Sequence, residues 1–306
     1  MPSQILVIGS SNTDMVVKAN KLPAPGETVI GGTFLMNPGG KGANQAVAAA
    51  RLVDTSAGGS VTFVAKVGND IFGRQAISGF EREGINTQYV LTDTDNPSGV
   101  ALINVDASGE NCITVAPGAN ANLQPTETQS ALQSAPPDAF VLLQLEIPLA
   151  TVEYVIREAA QRGVRVILNP APAQTLPDDL FPNLYLITPN ETEAELLTGI
   201  RVTNLATAEQ AARKLRDMGV SNVVITLGSK GAYLYSSDNQ GQLIETAPVK
   251  AIDTTAAGDC FNGALTVALS ENQTLPDAVA FACKAASISV TRMGAQASVP
   301  YRRELV

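Results

Sequence analysis

From residue 61 onward, short apolar runs alternate with stretches of helical periodicity, and few folds accept that pattern. Runs at 61–67, 140–145, 164–168, 185–188 and 223–227 read as buried strands. The segments between them at 71–83, 149–162, 192–198 and 207–218 read as helices, the first with Asp70 as its N-cap. Strand-rich pieces at 232–236 and 242–248 follow, and helices at 257–270 and 275–290 close the pattern. Upstream, 5–8 supplies a further strand and the Ala-rich 43–52 the first helix. Strands buried on both faces and joined by helices imply an α/β fold: a doubly wound, mainly parallel sheet with helices on both faces.

Two stretches escape the alternation. Residues 12–38 run in short extended pieces, with PAPGETVIGG reading as a turn followed by another strand. Residues 95–118 contain a hairpin, 99–106 against 111–115 across the polar turn 107–110. No helix covers either stretch, so together they predict a small β-sheet lid whose bare face covers a ligand or pairs with another subunit. With no repeat, low-complexity tract or long linker, residues 1–306 read as one α/β domain carrying that lid.

The most restrictive composition figure is a histidine count of 0. It excludes Ser-His-Asp and Cys-His catalysis and imidazole-dependent zinc sites, so a general base must be a carboxylate, Lys, Tyr or Cys. A net charge of −9 argues against non-specific nucleic-acid binding, which needs clustered cations. An anionic substrate must then be held locally, by backbone amides and bound cations. Cys112, Cys260 and Cys283 are scattered and odd in number, which favours a reducing compartment and small core residues. MPSQILVIGS lacks a basic leader and no apolar stretch is long enough to span a bilayer, so the expectation is a cytoplasmic protein that binds no membrane.

Six segments bear chemistry. DTTAAGD (253–259) joins a strand-like piece to the Ala-rich helix beginning near Ala257, and a helix start offers free amides and the positive end of the dipole to an anion. The small side chains of Ala256, Ala257 and Gly258 let a phosphoryl group approach the backbone. Asp259, in the first turn, is placed to take a proton from an attacking hydroxyl; a lone Asp there reads first as an ordinary dipole partner, and it is the whole heptapeptide at a strand-turn-helix junction that points to function. PGGKGANQ (38–45) is a Gly-rich strand-to-helix junction with Lys41 and Asn44 as donors. It is no Walker A loop, because Gly follows Lys41, and no dinucleotide fingerprint, because Gln45 stands where GxGxxG needs its last Gly.

The other four are shorter. SNTD (11–14) offers Asn12 and Asp14 to vicinal hydroxyls, or forms an Asx turn. QLE (144–146) places Glu146 at the strand edge where open sheets bind ligands. TPNETE (188–193) gives Asn190 as an N-cap with Glu193 three residues on, which is either a capping box or a pair that orients Mg²⁺ waters. TLGSKG (226–231) is a hairpin turn or a flat-ligand surface.

In this order the segments resemble the ribokinase family of carbohydrate kinases along the whole chain, with both family signatures, GGKGAN and DTxAAGD, intact. PAPGET, NPAPA and the GAQASVP ending are more similar to its ribose-specific branch than to fructokinases or adenosine kinases. The resemblance implies ATP-dependent phosphorylation of D-ribose at O5, with deoxyribose, fructose or a nucleoside as alternatives and a non-catalytic sensor as the reading from another class. It implies Asp259 as the base and the amides of Ala256, Ala257 and Gly258 as the anion hole. Asn12, Thr13, Asp14, Gly40, Lys41, Gly42, Ala43, Asn44 and Glu146 match sugar-contacting positions. Asn190 and Glu193 match the NxxE motif tied to phosphate and Mg²⁺. Thr226, Leu227, Gly228, Ser229, Lys230 and Gly231 match part of the nucleotide site, and Cys283 an adenine-side position. For an activating monovalent cation such as K⁺ the matching positions are Asp253, Thr255, Ser289, Arg292, Gly294 and Ser298, several through carbonyls alone. It further implies a homodimer joined through the lids, and a C-terminal helical extension shortened after YRRELV.

Overall fold

The computed structural model describes residues 4–238 and 240–305; residues 1–3 of the N-terminal reading and Val306 of the tail lie outside the described residues. In chain order, β1 (Gln4–Ile8) leads to β2 (Asn12–Lys18) and β3 (Thr33–Gly39), and α1 (Lys41–Leu52) follows. β4 (Ser60–Gly68), α2 (Ile71–Arg82) and β5 (Asn86–Asp93) make a βαβ unit, and β6 (Gly99–Val105) with β7 (Asn111–Ala116) a hairpin. Helices and strands then alternate: α3 (Pro125–Ser134), β8 (Phe140–Leu143), α4 (Leu149–Gln161), β9 (Arg165–Leu168), β10 (Leu186–Ile187), α5 (Glu191–Thr198), α6 (Leu205–Asp217) and β11 (Asn222–Thr226). β12 (Ala232–Tyr235), β13 (Gly241–Ile244), α7 (Ala257–Ser270) and α8 (Leu275–Ser289) complete the set.

Among the described residues the strands form two sheets, a nine-stranded one ordered β13-β12-β11-β10-β9-β8-β1-β4-β5 and a four-stranded one ordered β3-β2-β6-β7. In the large sheet every pair is parallel except β11–β12 and β12–β13. Along β1, Ile5 and Val7 enter a core built with α1, α7 and α8, while Leu6 and Ile8 enter one built with α3, α4 and α6. This is the two-fold alternation of a strand covered on both faces. Each such aliphatic side chain contributes about 1.5–3 kcal/mol by leaving water, and Phe63 adds an edge-to-face contact with Phe80, centroids 5.1 Å apart.

From β1 the chain winds out through β4 and β5, then returns to β8 on the other side of β1 and winds the opposite way. The strand order therefore reverses between β1 and β8, and the crevice beyond their carboxyl ends is where an open α/β sheet binds ligands. The four-stranded sheet departs from this same end, because β2 begins only four residues after β1 ends.

The doubly wound fold and the second sheet follow the sequence expectation. Some details differ. Val29 and Ile30 lie outside any strand, and the strand after PAPGETVIGG starts at Thr33. The strand expected over 242–248 ends at Ile244. Neither β5 nor α3 was expected. β5 is a mixed polar and apolar edge strand, and α3 is a polar surface helix whose Pro125 and Gln124–Glu127 capping box are ordinary start signals. Among the described residues no helix is long and apolar enough to cross a membrane.

Candidate active site

Two glycines set the first wall of the crevice. Gly40, at φ +88, turns β3 into α1. A methyl group on Gly42 would meet Ser10 N at 2.5 Å, so only glycine lets α1 start against the end of β1. The contact is sealed by Ala43 N–H donating to the Ser10 carbonyl (2.8 Å) and Gly42 N–H to Ser10 Oγ (3.3 Å). Glu146, just past β8, accepts from Ser10 Oγ at 2.6 Å and from Lys41 N–H at 3.0 Å, and so caps the helix start with a carboxylate. Arg51 at the other end of α1 pairs with Glu83 at 2.6 Å and donates to the Gln296 and Val299 carbonyls, which anchors the GAQASVP segment to the helix.

The second wall is the start of α7. Its N-cap Ala256 is in the left-handed region at φ 58, uncommon for a residue with a side chain. Gly258 has nothing within 4 Å of where a Cβ would stand, so its backbone faces open space. Of the three loop amides, Ala257 N–H is turned back onto the Thr254 carbonyl at 3.2 Å. Asp259 follows on the buried side and is only 6% exposed. Its Oδ2 accepts from Asn44 Nδ2 at 2.9 Å and its Oδ1 from Gln45 Nε2 at 3.0 Å.

Of these groups Lys41, Gly258 and Asp259 open onto a cleft of about 210 Å³ that Asn190, Glu193 and Thr226 also line; Asn44, Gln45 and Glu146 stand behind it. An isolated bridge sets Asn190 beside Thr226, and Thr226 N–H donates to the Pro189 carbonyl at 3.0 Å. The expected capping box is formed: Glu193 N–H donates to Asn190 Oδ1 and Asn190 N–H to Glu193 Oε2, both at 2.8 Å. On β2, Asp14 lies within electrostatic reach of Glu146 and Asp259, while neither it nor Asn12 lines the cleft itself. Asn12 Oδ1 accepts from Asn120 Nδ2 at 2.8 Å, and the Asn120 amide is also paired with both backbone groups of Ser11. Thr13 is half-buried in the same strand, beside Asp14.

Asp14, Glu146, Glu193 and Asp259 make the site strongly acidic. Burial, then the negative charges of Glu146 and Asp259, push the Asp14 carboxyl from the ordinary 3.8 up to about 6. Burial also raises Asp259 against the pull of Lys41, Asn44 and Gln45, and raises Glu193 against its hydrogen bond from Asn190. Burial works to lower the Lys41 ammonium, but Asp259, Glu146 and Glu193 outweigh it and hold it above the usual lysine value. Lys41 is the one cationic side chain lining the cleft among the described residues.

The remaining expected residues lie in three places. Leu227 is buried, Gly228, Ser229 and Lys230 form an exposed 3-10 turn between β11 and β12, and Gly231 closes it with φ +99. The thiol of Cys283, 5% exposed, packs in the core on α8 and does not line the cleft. Asp253 accepts from Thr255 N–H and Gly294 N–H, both at 2.9 Å, so the 253–255 and 289–298 segments lie side by side. Ser289 and Ser298 are buried, and Arg292 turns its guanidinium to Glu304 at 2.5 Å. Asp253 stays below the usual carboxylate range: burial acts to raise it, and the Thr255 and Gly294 hydrogen bonds more than offset that.

Several residues at the site had no assigned role from the sequence. Ser10 and Asn120 hold Glu146 and Asn12 in place. Gln45, Asn169 and Thr188 stand within quoted motifs, so their signal was present but unassigned; Asn120 had none.

Residues 2–302 match the profile described as pfkB family carbohydrate kinase. Ribokinase of Haemophilus influenzae is 45% identical over 99% of this chain and 97% of that protein. Deoxyribokinase of Salmonella typhi is 39% identical over 97% of this chain and 95% of that protein. The structure of Arabidopsis thaliana ribokinase complexed with ribose and ATP superposes with a TM-score of 0.89 at 32% identity, covering 100% of this chain and 98% of that one. With its two glycine-rich walls meeting at one buried carboxylate and the match running nearly end to end, this chain belongs to the pfkB family of carbohydrate kinases.

Proposed function

We propose that this protein transfers the γ-phosphoryl group of ATP to O5 of D-ribose, with Asp259 as general base. The observation that carries the reading is the Asp259 carboxylate: buried at a helix start, fixed by Asn44 and Gln45, and open to the cleft beside Gly258 and Lys41. Ribose sits between the large sheet and the lid, where Asn12, Asp14, Asn44 and Glu146 present acceptors and donors to its hydroxyls. Asp259 takes the O5 proton as the O5–phosphorus bond forms. The bond from the γ-phosphorus to the bridging oxygen breaks, and ADP leaves. Lys41 and the α7 amides, chiefly Gly258, stabilise the charge that develops on the transferring group.

The nucleotide runs along Asn190, Thr226 and the 228–231 turn. Cys283 adjoins it through α8 and not through its thiol, which faces the core. Carboxylates beside a phosphate site suit Mg²⁺, a hard ion that keeps several waters, and Glu193 with Asn190 would orient those waters. The oxygen-only set of Asp253, Thr255, Ser289, Arg292, Gly294 and Ser298 fits a monovalent cation, with Arg292 offering its carbonyl because its side chain is engaged elsewhere. When bound, these ions neutralise phosphate charge; the protein supplies position and the proton acceptor.

The small sheet exposes Phe34, Met36 and Leu102 on one face and Ile113 and Val115 on the other. Apolar strand faces so exposed suit a second copy of this chain, as a homodimer through the lids. The likeness to a deoxyribokinase makes 2-deoxyribose the second reading. ADP release with Mg²⁺-ATP across D-ribose, 2-deoxyribose, fructose and adenosine, with and without K⁺, tests the proposal. Turnover on ribose that rises with K⁺ is expected; preference for another sugar moves the substrate, and no turnover on any removes the activity.

A further inference from the structure

Gln45, on α1 and completely buried, uses its whole amide in a directed chain. Its Nε2 donates to Asp259 Oδ1 and to Asn169 Oδ1, both at 3.0 Å, while its Oε1 accepts from Gln144 Nε2 at 2.7 Å. Turning the amide over would set its oxygen against two oxygens and its nitrogen against a third amide's nitrogen. Asn169, just past β9, is itself held by donating to the Thr188 carbonyl, so it and the acceptor-only Asp259 fix the orientation; Gln144, just past β8, adds its donor but leaves its own Oε1 without a partner. The chain continues. Asn169 Nδ2 donates to the Thr188 carbonyl at 3.2 Å, Thr188 Oγ1 to Asn262 Oδ1 at 2.6 Å, and Asn262 Nδ2 to the Gly258 carbonyl at 2.8 Å. It therefore returns to the residue just before Asp259.

We propose that Gln45 is a positioning residue for phosphoryl transfer, its amide locked by Gln144 and Asn169 so that the Asp259 carboxylate presents one fixed lone pair to the hydroxyl being phosphorylated. The inference rests on the reading of Asp259 as the base. Asn44 donates to the other carboxylate oxygen, and with one donor on each oxygen the carboxylate cannot rotate. The charged groups facing Asp259 are Lys41 on α1, Glu146 after β8, Glu193 on α5 and Asp14 on β2. None of them is itself altered when Gln45 is replaced, but the replacement also removes the bonds to Asn169 and Gln144, so a second variant at Gln144 is needed beside it. A hydrogen bond to a buried carboxylate favours its ionised form, so removing that bond also moves ionisation to higher pH.

The test compares wild type, Gln45→Leu, Gln144→Leu and Asp259→Asn by kcat, ribose KM and melting temperature across about pH 5 to 9. Gln45→Leu is expected to lower kcat about tenfold to a hundredfold, the range for a lost bond to a charged group. Its ribose KM should stay within about threefold, because the bond is needed at the transition state and not for sugar binding. The acid limb of its kcat profile should rise by about one pH unit. Gln144→Leu frees the Gln45 amide without touching Asp259, so it should move kcat and the limb the same way by less. A Gln45→Leu protein with wild-type kcat and acid limb, and only a lower melting temperature, assigns Gln45 to packing and overturns the inference. If Gln45→Leu does not fold, an unmoved acid limb in Gln144→Leu overturns it instead. Turnover retained by Asp259→Asn would remove the base reading itself, an outcome distinct from either.

Discussion

Gly263 on α7 lies directly against the backbone of Gln45 on α1: a methyl group at Gly263 would meet the Gln45 carbonyl oxygen at 2.8 Å and Ala48 Cβ at 2.6 Å. The approach of these two helices brings Asn44 and Gln45 within hydrogen-bond reach of Asp259. Gly263→Ala is therefore expected to cost about 1–3 kcal/mol by overpacking. It should also lower kcat, because α7 must shift away from α1. Urea unfolding and steady-state kinetics on the same preparation check both effects together.

Asp259→Asn removes the proposed proton acceptor and keeps the shape. Turnover should fall by about 10²–10⁴, the usual contribution of general-base catalysis. The fold should survive, since the asparagine still offers one acceptor to its two amide donors. Near-normal turnover in a protein with a wild-type melting curve would contradict the assignment.

Gly258→Ala probes the phosphate wall. Open space surrounds the position, and alanine is the better helix residue by about 0.5–1 kcal/mol. Stability should be unchanged or slightly higher. On the proposed mechanism the new methyl stands where the transferring group approaches the backbone, so kcat should fall by about tenfold or more, at least ~1.4 kcal/mol of transition-state binding. A kinetically normal Gly258→Ala would place the phosphate elsewhere.

Asp14 ties stability to pH. Its pKa in the folded protein, about 6, lies above the ordinary 3.8, so protonation favours the fold. That contribution is full below about 3.8 and is lost as pH rises through about 6. The difference corresponds to about 3 kcal/mol at most. Asp14→Asn should thus raise the melting temperature at pH 8, with the gain vanishing toward pH 4, while binding ribose poorly. In the wild type, kcat/KM for ribose should fall as pH drops through about 6, where Asp14 loses its charge.

Leu102 and Ile113 lie on opposite faces of the small sheet, each about half exposed. Glutamate at either should leave the folded subunit intact. If the lids pair as proposed, the substitution on the pairing face should also release monomers in sedimentation. If neither substitution changes the mass of the wild-type particle, the lids are not the interface.

The alternation of strands and helices was legible because the strands are buried on both faces and read as continuous apolar runs. β5 was not, because an edge strand needs no such run, and α3 was not, because a polar surface helix shows its caps more plainly than its periodicity. GGKGANQ and DTTAAGD each announced a helix start at a glycine-rich turn. That they meet at one carboxylate depends on α1 packing against α7, a relation between residues more than 200 positions apart. For the same reason Gln45 was noticed only as a missing glycine. Cys283 shows the opposite limit, since a motif assigns a position and not the direction its side chain takes.

Ala256 holds its left-handed conformation with a side chain attached, at a cost of about 1–2 kcal/mol that glycine would avoid. Glycine would also let the loop wander through backbone shapes that alanine forbids. The methyl thus trades enthalpy in the protein for order in the loop. If the head of α7 holds the transferring phosphate as proposed, that cradle is set in its shape before the anion arrives, and little of the anion's binding energy goes to freezing it.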